Sequence, residues 1–252
     1  MVHMKDKARA SAIHLALSAL VAAAAGLLVF GLWFPGPYRE LAGGRELFLL
    51  VVGVDVIIGP VITFVVFNRA KRRREMFTDF AVIGLLQLAA LGYGMWTVYQ
   101  ARPVHLVFEY HRLAVVHAAD LEPGALEKAP PELRTLPLTG PTLLSLRPFK
   151  SADEEYDSTM TAMSGIPQAA QPALWQPWEA ARADILHEAK PLAALRARYP
   201  AQAPQIDAAI AQARLPEAQL LTLPLLGRKA GWTVLLDTQS VQPVAFLRLD
   251  SF

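Results

Sequence analysis

Three long apolar runs in the first hundred residues constrain this chain more than any other feature. A bilayer is crossed by about 20 mostly apolar residues in a helix rising 1.5 Å per residue. Three stretches meet that length: SAIHLALSALVAAAAGLLVFGLWF (11–34), ELFLLVVGVDVIIGPVITFVVF (46–67) and DFAVIGLLQLAALGYGMWTVYQ (79–100). The first and third end in aromatic residues (Trp33 and Phe34, Trp96 and Tyr99) of the kind that settle at a membrane–water interface. Ala22–Ala25, after a basic start, resembles a signal-peptide cleavage site. The apolar run continues through Leu27–Phe34, beyond the usual short signal core, so this segment reads as an uncleaved anchor.

Residues 101–252 have mixed, soluble-type sequence, so the chain is expected to divide into a membrane part, 1–100, and an extracytoplasmic domain, 101–252. Charge follows the same division. Residues 1–100 hold 10 Lys and Arg against 6 Asp and Glu, and residues 101–252 hold 14 against 16. The basic excess sits in short membrane-flanking segments, where it sets topology; no nucleic-acid partner is expected. Lys5, Lys7 and Arg9 precede the first span, and Arg39 and Arg45 lie in the first loop. The second loop carries Arg69, Lys71, Arg72, Arg73 and Arg74. These counts predict a cytoplasmic N-terminus, a cytoplasmic second loop and a periplasmic C-terminal domain in a bacterial inner membrane.

The middle span carries Asp55. A charged carboxylate at the bilayer centre costs about 2.5–3.5 kcal/mol on insertion scales, so it has either a partner or a function. Gly59-Pro60 follows within about a turn. Pro60 cannot donate to the Val56 carbonyl, so a kink with a freed acceptor is expected there. By helical rise, Gln87 and Tyr93 of the third span lie at depths from which they reach Asp55. No second intramembrane acid or basic relay is apparent, which argues against ion conduction. Ser18, Ala22 and Gly26 on the first span, and Gly84 and Gly92 on the third, form small-residue faces suited to close helix packing, within the chain or with a partner helix.

The C-terminal domain reads as a small α+β fold. Val104, Leu106 and Phe108 alternate imperfectly with His105, Val107 and Glu109 as a strand, and Arg112–His117 reads as a second. Helices are expected over 172–199 and 204–214, with Pro191 and Pro200 as punctuation. A closing hairpin turns at Asp237–Gln242, and the terminal strands share one sheet. His105, His111 and His117 recur every six residues, too far apart along an extended chain to share a metal ion. Asp153, Glu154, Glu155 and Asp157 read as the acidic first turn of a helix capped by Ser151. Trp175 and Trp178 flank Pro177 as either core residues or partner anchors. The sequence has no Cys, no G-x-S-x-G, no H-E-x-x-H and no phosphate-binding glycine loop, so no enzyme activity and no cofactor is expected.

The combination V-D-x-x-x-G-P inside a span, Q-x-x-A-L-x-Y-G, A-R-P and the tail LLDTQSVQPVAFLRLD resembles the TfpX/TfpZ family of type IV pilin accessory proteins, most densely over residues 45–120. That resemblance implies inner-membrane helices, an exported domain and a role in pilin stability or assembly. Type IV pilin, through its transmembrane helix and its head, is the implied partner, beside the lipid bilayer and other pilus-assembly membrane proteins. The partner-binding residues expected on this reading are Asp55, Gly59, Pro60, Gln87, Tyr93, Trp175 and Trp178. A membrane-bound periplasmic sensor, or an envelope-assembly factor unrelated to pili, is the competing expectation.

Overall fold

The computed structural model describes residues 2–68, 71–228 and 230–252, and Arg69 of the basic loop lies outside them. The chain divides into two compact units, Met1–Ala101 and Arg102–Phe252, each with its own interior.

In the first unit, α1 (Val2–Leu28) runs on through a π turn, Val29–Trp33. A short α2 (Tyr38–Leu41) fills the first loop. The second span is three pieces in one rod: α3 (Gly44–Gly53), a π segment (Val54–Ile58) and α4 (Gly59–Val66). α5 (Arg73–Gln100) is the third span. Among the described residues, three helical stretches are long and apolar enough to cross a membrane: Met4–Trp33, Gly44–Val66 and Arg73–Gln100. Their outward faces carry exposed leucines and valines, the arrangement expected where lipid is the solvent.

Packing inside this unit follows the small residues, though not all the expected ones. Gly26 faces the Phe48 ring, which meets Phe30 edge-on at 5.0 Å. On the third span the close approach is made by Gly94, where an added Cβ would come within 2.6 Å of Val51. Gly84 and Gly92 face open space instead. Gly44 lies flat against the fully buried Phe34 ring, where the chain turns out of the first loop. α5 begins six residues before Asp79, so Arg73 and Arg74 belong to its first turn. Lys71 pairs with Asp79 at 2.7 Å, and Glu75 accepts the Arg72 N–H at 3.3 Å.

The second unit is a mixed sheet with helices packed on it. Its strands are β1 (Pro103–Glu109), β2 (Arg112–His117), β3 (Thr142–Leu146), β4 (Trp175–Pro177), β5 (Lys190–Pro191), β6 (Leu220–Leu226), β7 (Gly231–Asp237) and β8 (Pro243–Leu247). They order as β4–β3–β1–β2–β6–β7–β8, with β5 also paired to β6. β1 is buried along its whole length, between antiparallel β2 and parallel β3, which explains why its polar–apolar alternation is imperfect. The terminal strands do share the sheet, through the parallel pairing of β2 with β6. β7 and β8 form the expected hairpin. Its turn is held by the Asp237 carboxylate, which accepts the Gln239 and Ser240 N–H groups at 3.1 and 3.0 Å and the Ser240 hydroxyl at 2.7 Å.

The helices are α6 (Ala152–Met163), α7 (Arg182–Glu188), α8 (Leu192–Arg198) and α9 (Ala203–Ala213). Ser151 caps α6 by accepting the Glu154 N–H at 3.2 Å. The helical stretch expected over 172–199 does break at Pro191, as its punctuation suggests, but its first part is further divided into 3-10 turns, β4 and α7, and Pro191 itself lies in β5 ahead of α8. Pro172, Pro177 and Pro191 interrupt the backbone ladder, and two of the resulting extended pieces pair with the sheet. One core cluster joins β1, β2 and β3 to the turns around Trp175. The other joins α8 and α9 to β6, β7 and β8.

Candidate functional site

The π segment of the second span decides what Gly59-Pro60 does. In π register the donor due to the Asp55 carbonyl is the amide of residue 60, and proline has none. The freed acceptor is thus the Asp55 carbonyl, displaced by one residue from the Val56 carbonyl of an α register. Gln87 Nε2 of α5 donates to it at 3.4 Å. In hydrocarbon an unmet carbonyl costs several kcal/mol, so this side chain does necessary work.

The first span ties down the other side of the same point. Ser11 Oγ donates to the Pro60 carbonyl at 2.8 Å, and His14 Nδ1 is hydrogen-bonded to Thr63 Oγ1 at 2.5 Å. Gly59 lies where the three spans converge: a Cβ there would fall 2.0 Å from Gln87 Nε2 and 3.0 Å from His14 Nε2. Only a residue without a side chain lets both polar groups close over the end of the π segment.

Beside this polar knot opens a groove of about 610 Å³, lined by all three spans. α1 packs along α4, and α5 packs along α3 and α4, while α1 and α5 make little contact with each other along this length. The gap between them is the groove. Its walls are His14, Ser18 and Ala22 on one side and Gly84, Gln87 and Leu88 on the other, with Asp55 and Thr63 between. At the far end Trp33 and Tyr99 meet edge-on at 5.2 Å. Among the described residues, no hydrogen bond or ion pair holds the Asp55 carboxyl group, which faces the groove within electrostatic reach of His14.

The expected site residues thus separate. Asp55, Gly59, Pro60 and Gln87 come together. Tyr93 does not join them: it is exposed and tilts against Trp96 at 6.1 Å. Trp175 and Trp178 are core residues of the second unit. Their indole N–H groups donate to the carbonyls of Ala169 at 2.8 Å and Val241 at 3.1 Å, so neither ring offers a surface to a partner. His14 is the residue that sequence reasoning missed. It lies four residues before Ser18 on the stripe 14–18–22, so helical spacing alone placed a titratable group on the small-residue face. Lys71, Arg72, Arg73 and Arg74 lie at the start of α5, away from the groove. Among the described residues, no group of three or more His, Asp or Glu side chains comes together as a metal site.

Comparison with known proteins bears on what such a groove serves. The family model for fimbrial assembly protein FimB matches residues 2–43, the first span and the loop after it. A fimbrial assembly protein of serogroup I from Dichelobacter nodosus is 37% identical over 247 residues, covering 97% of this chain and 96% of its own length. The serogroup E1 protein of the same organism is 36% identical over the same shares of both chains. This chain belongs to the fimbrial assembly proteins. A shorter member, from serogroups C1 and C2, is 42% identical over 114 residues, which is 45% of this chain and 87% of its own. No solved structure matches the chain.

Proposed function

We propose that this fimbrial assembly protein is a non-enzymatic inner-membrane accessory protein that binds and stabilises type IV pilin and hands it over during pilus biogenesis, as the TfpX/TfpZ resemblance implies. On this reading the N-terminus and the basic second loop lie in the cytoplasm and residues 101–252 in the periplasm, the orientation that the Lys and Arg distribution supports. One observation carries the reading: a groove walled by small residues, open between the first and third spans and holding an unpaired carboxyl group. Small residues on both walls let a helix backbone approach closely, and a polar group inside the membrane gains from a partner that can donate to it. A pilin subunit before assembly presents one apolar helix and a globular head, so a membrane groove and an outer domain together offer linked contacts.

The test is capture of the pilin subunit from native membranes. Gly84 has room for a side chain, because a Cβ there meets nothing within 4 Å. Gly84→Leu therefore fills the groove without disturbing the three-span bundle and abolishes co-purification of pilin. Asp55→Asn weakens it by about three- to thirtyfold, the range for a polar contact between membrane helices. Full capture by Gly84→Leu would sink the groove as the docking site.

A further inference from the structure

The sheet of the second unit forks along one strand. β6 pairs with β7 along its whole length on one side. On its other side it pairs with β5 at Leu221 and Thr222 and with β2 at Leu225 and Leu226. Between those pairings, at Leu223 and Pro224, the two neighbours diverge, and Pro224 has no N–H for either. Where the two neighbours part, the sheet leaves a gap beside β6. Here it is a cleft of about 590 Å³.

Cations from two separate elements line it, Lys190 from β5 and Arg198 from α8, beside His111 from the β1–β2 turn. Leu195 and Pro224 supply apolar wall. Its two cations outnumber the one acidic side chain in the lining, Glu188. Elsewhere in this unit Arg112, Arg147 and Arg196 each hold a carboxylate, at 2.9, 2.6 and 2.7 Å. Among the described residues no ion pair engages Lys190 or Arg198, and Glu188 also lines the cleft, with His187 as its neighbour at 3.1 Å. This happens in a unit whose acids outnumber Lys and Arg by 16 to 14, so an excess of cations in this cleft is not a by-product of composition. The Arg198 guanidinium is stacked 5.2 Å from the Tyr199 ring, which limits its freedom before any ligand arrives.

We propose that this cleft binds an extended, carboxylate-bearing segment of a partner protein, with Arg198 and Lys190 holding the acidic side chain and Leu195 and Pro224 packing its apolar neighbours. A guanidinium fork fits a carboxylate at two points, and the cleft volume matches a site for a few residues or a small molecule. A lipid surface is the poorer fit. Binding to anionic headgroups calls for clusters of about 4–8 Lys or Arg on an open face, whereas this cleft is concave, part apolar and carries two. The partner's being a protein rests on the proposed function, and the cleft adds the chemistry by which the subunit's head is held outside the bilayer.

The experiment titrates the full chain in detergent with a fluorescein-labelled peptide, Val-Glu-Leu-Glu-Val, and with its Gln-for-Glu counterpart, following fluorescence anisotropy. The Glu peptide binds, and the Gln peptide binds about tenfold more weakly or not at all. The double variant Lys190→Ala/Arg198→Ala loses the Glu peptide to the same extent. Both side chains are exposed, so its thermal unfolding stays that of the wild type. Equal affinity for the two peptides, or undiminished binding by the double variant, would overturn the proposal. So would displacement of the Glu peptide by inorganic phosphate or phosphatidylglycerol vesicles at matched anion concentration. The double variant leaves the transmembrane groove untouched. If wild type captures pilin and Gly84→Leu does not, while the peptides fail to discriminate, the cleft falls and the groove stands.

Discussion

His105 should make the second unit of this protein acid-sensitive in a defined window. Its side chain sits in β1 at 2% exposure, with its ring edge-on to Trp175 at 4.6 Å and Nδ1 hydrogen-bonded to Thr142 Oγ1 at 2.8 Å. Nε2 is buried with no partner among the described residues. Burial pushes the imidazole pKa down from 6.5 to about 4. The folded protein therefore keeps His105 neutral while the unfolded chain takes up a proton. Stability from this group is complete above pH 6.5 and is lost as pH falls from there towards 4, because the unfolded state then binds more protons. The whole shift corresponds to about 3 kcal/mol at 1.36 kcal/mol per pKa unit, of which about 2 kcal/mol is gone by pH 5.

The assay is guanidinium unfolding of the full chain in mild detergent, followed by tryptophan fluorescence between pH 4 and 8, for wild type and His105→Phe. The variant keeps an aromatic ring against Trp175 but cannot titrate. Its absolute stability falls, since Thr142 loses its partner, yet its pH profile should be flatter than that of the wild type by about 2 kcal/mol between pH 8 and 5. Carboxylates do not imitate this effect. The Arg147 guanidinium and the Lys150 amide hold Glu154 down at about 2, so its contribution is present above 4.5 and is lost only as pH falls towards 2. Equal slopes for the two proteins between pH 4 and 6.5 would refute the reasoning.

Two substitutions test packing. Gly44→Ala places a Cβ 2.4 Å from the ring of the fully buried Phe34 and should cost about 1–3 kcal/mol in a thermal melt, while Gly84→Ala, facing open space, should be close to neutral. Trp178→Phe removes the donor to the Val241 carbonyl and should cost about 1–3 kcal/mol of stability in the second unit, with pilin capture per folded molecule unchanged.

The spans were legible because bilayer thickness sets a length that composition alone can meet, and the closing hairpin because Asp237 and Ser240 carry their own turn chemistry. The first strand was harder. A strand buried on both faces has no reason to alternate, so the pattern was imperfect and His105 and Glu109 are both inside. The stretch 172–199 is rich in helix formers between its prolines, and the extended pieces at Pro177 and Pro191 pair with β3 and β6, partners that sequence does not reveal. At the candidate site, Asp55 and Gly59-Pro60 stood out from an apolar background. The π register that transfers the freed carbonyl from Val56 to Asp55 is a tertiary choice, stabilised by Gln87 from another helix. His14 lay in plain view on the small-residue stripe, in a segment whose apolar character drew attention to its length alone.

The central claim, that the groove between the first and third spans holds the pilin helix, is tested most directly by site-specific photo-crosslinking in native membranes. Leu17 and Leu88 line the groove and are exposed, whereas Leu50 and Val65 are equally exposed on surfaces that do not line it. A photoreactive residue at 17 or 88 should yield an adduct with the major pilin subunit, mapped to its apolar helix, and one at 50 or 65 should yield none. Adducts at all four positions alike, or only at 50 and 65, would contradict the account.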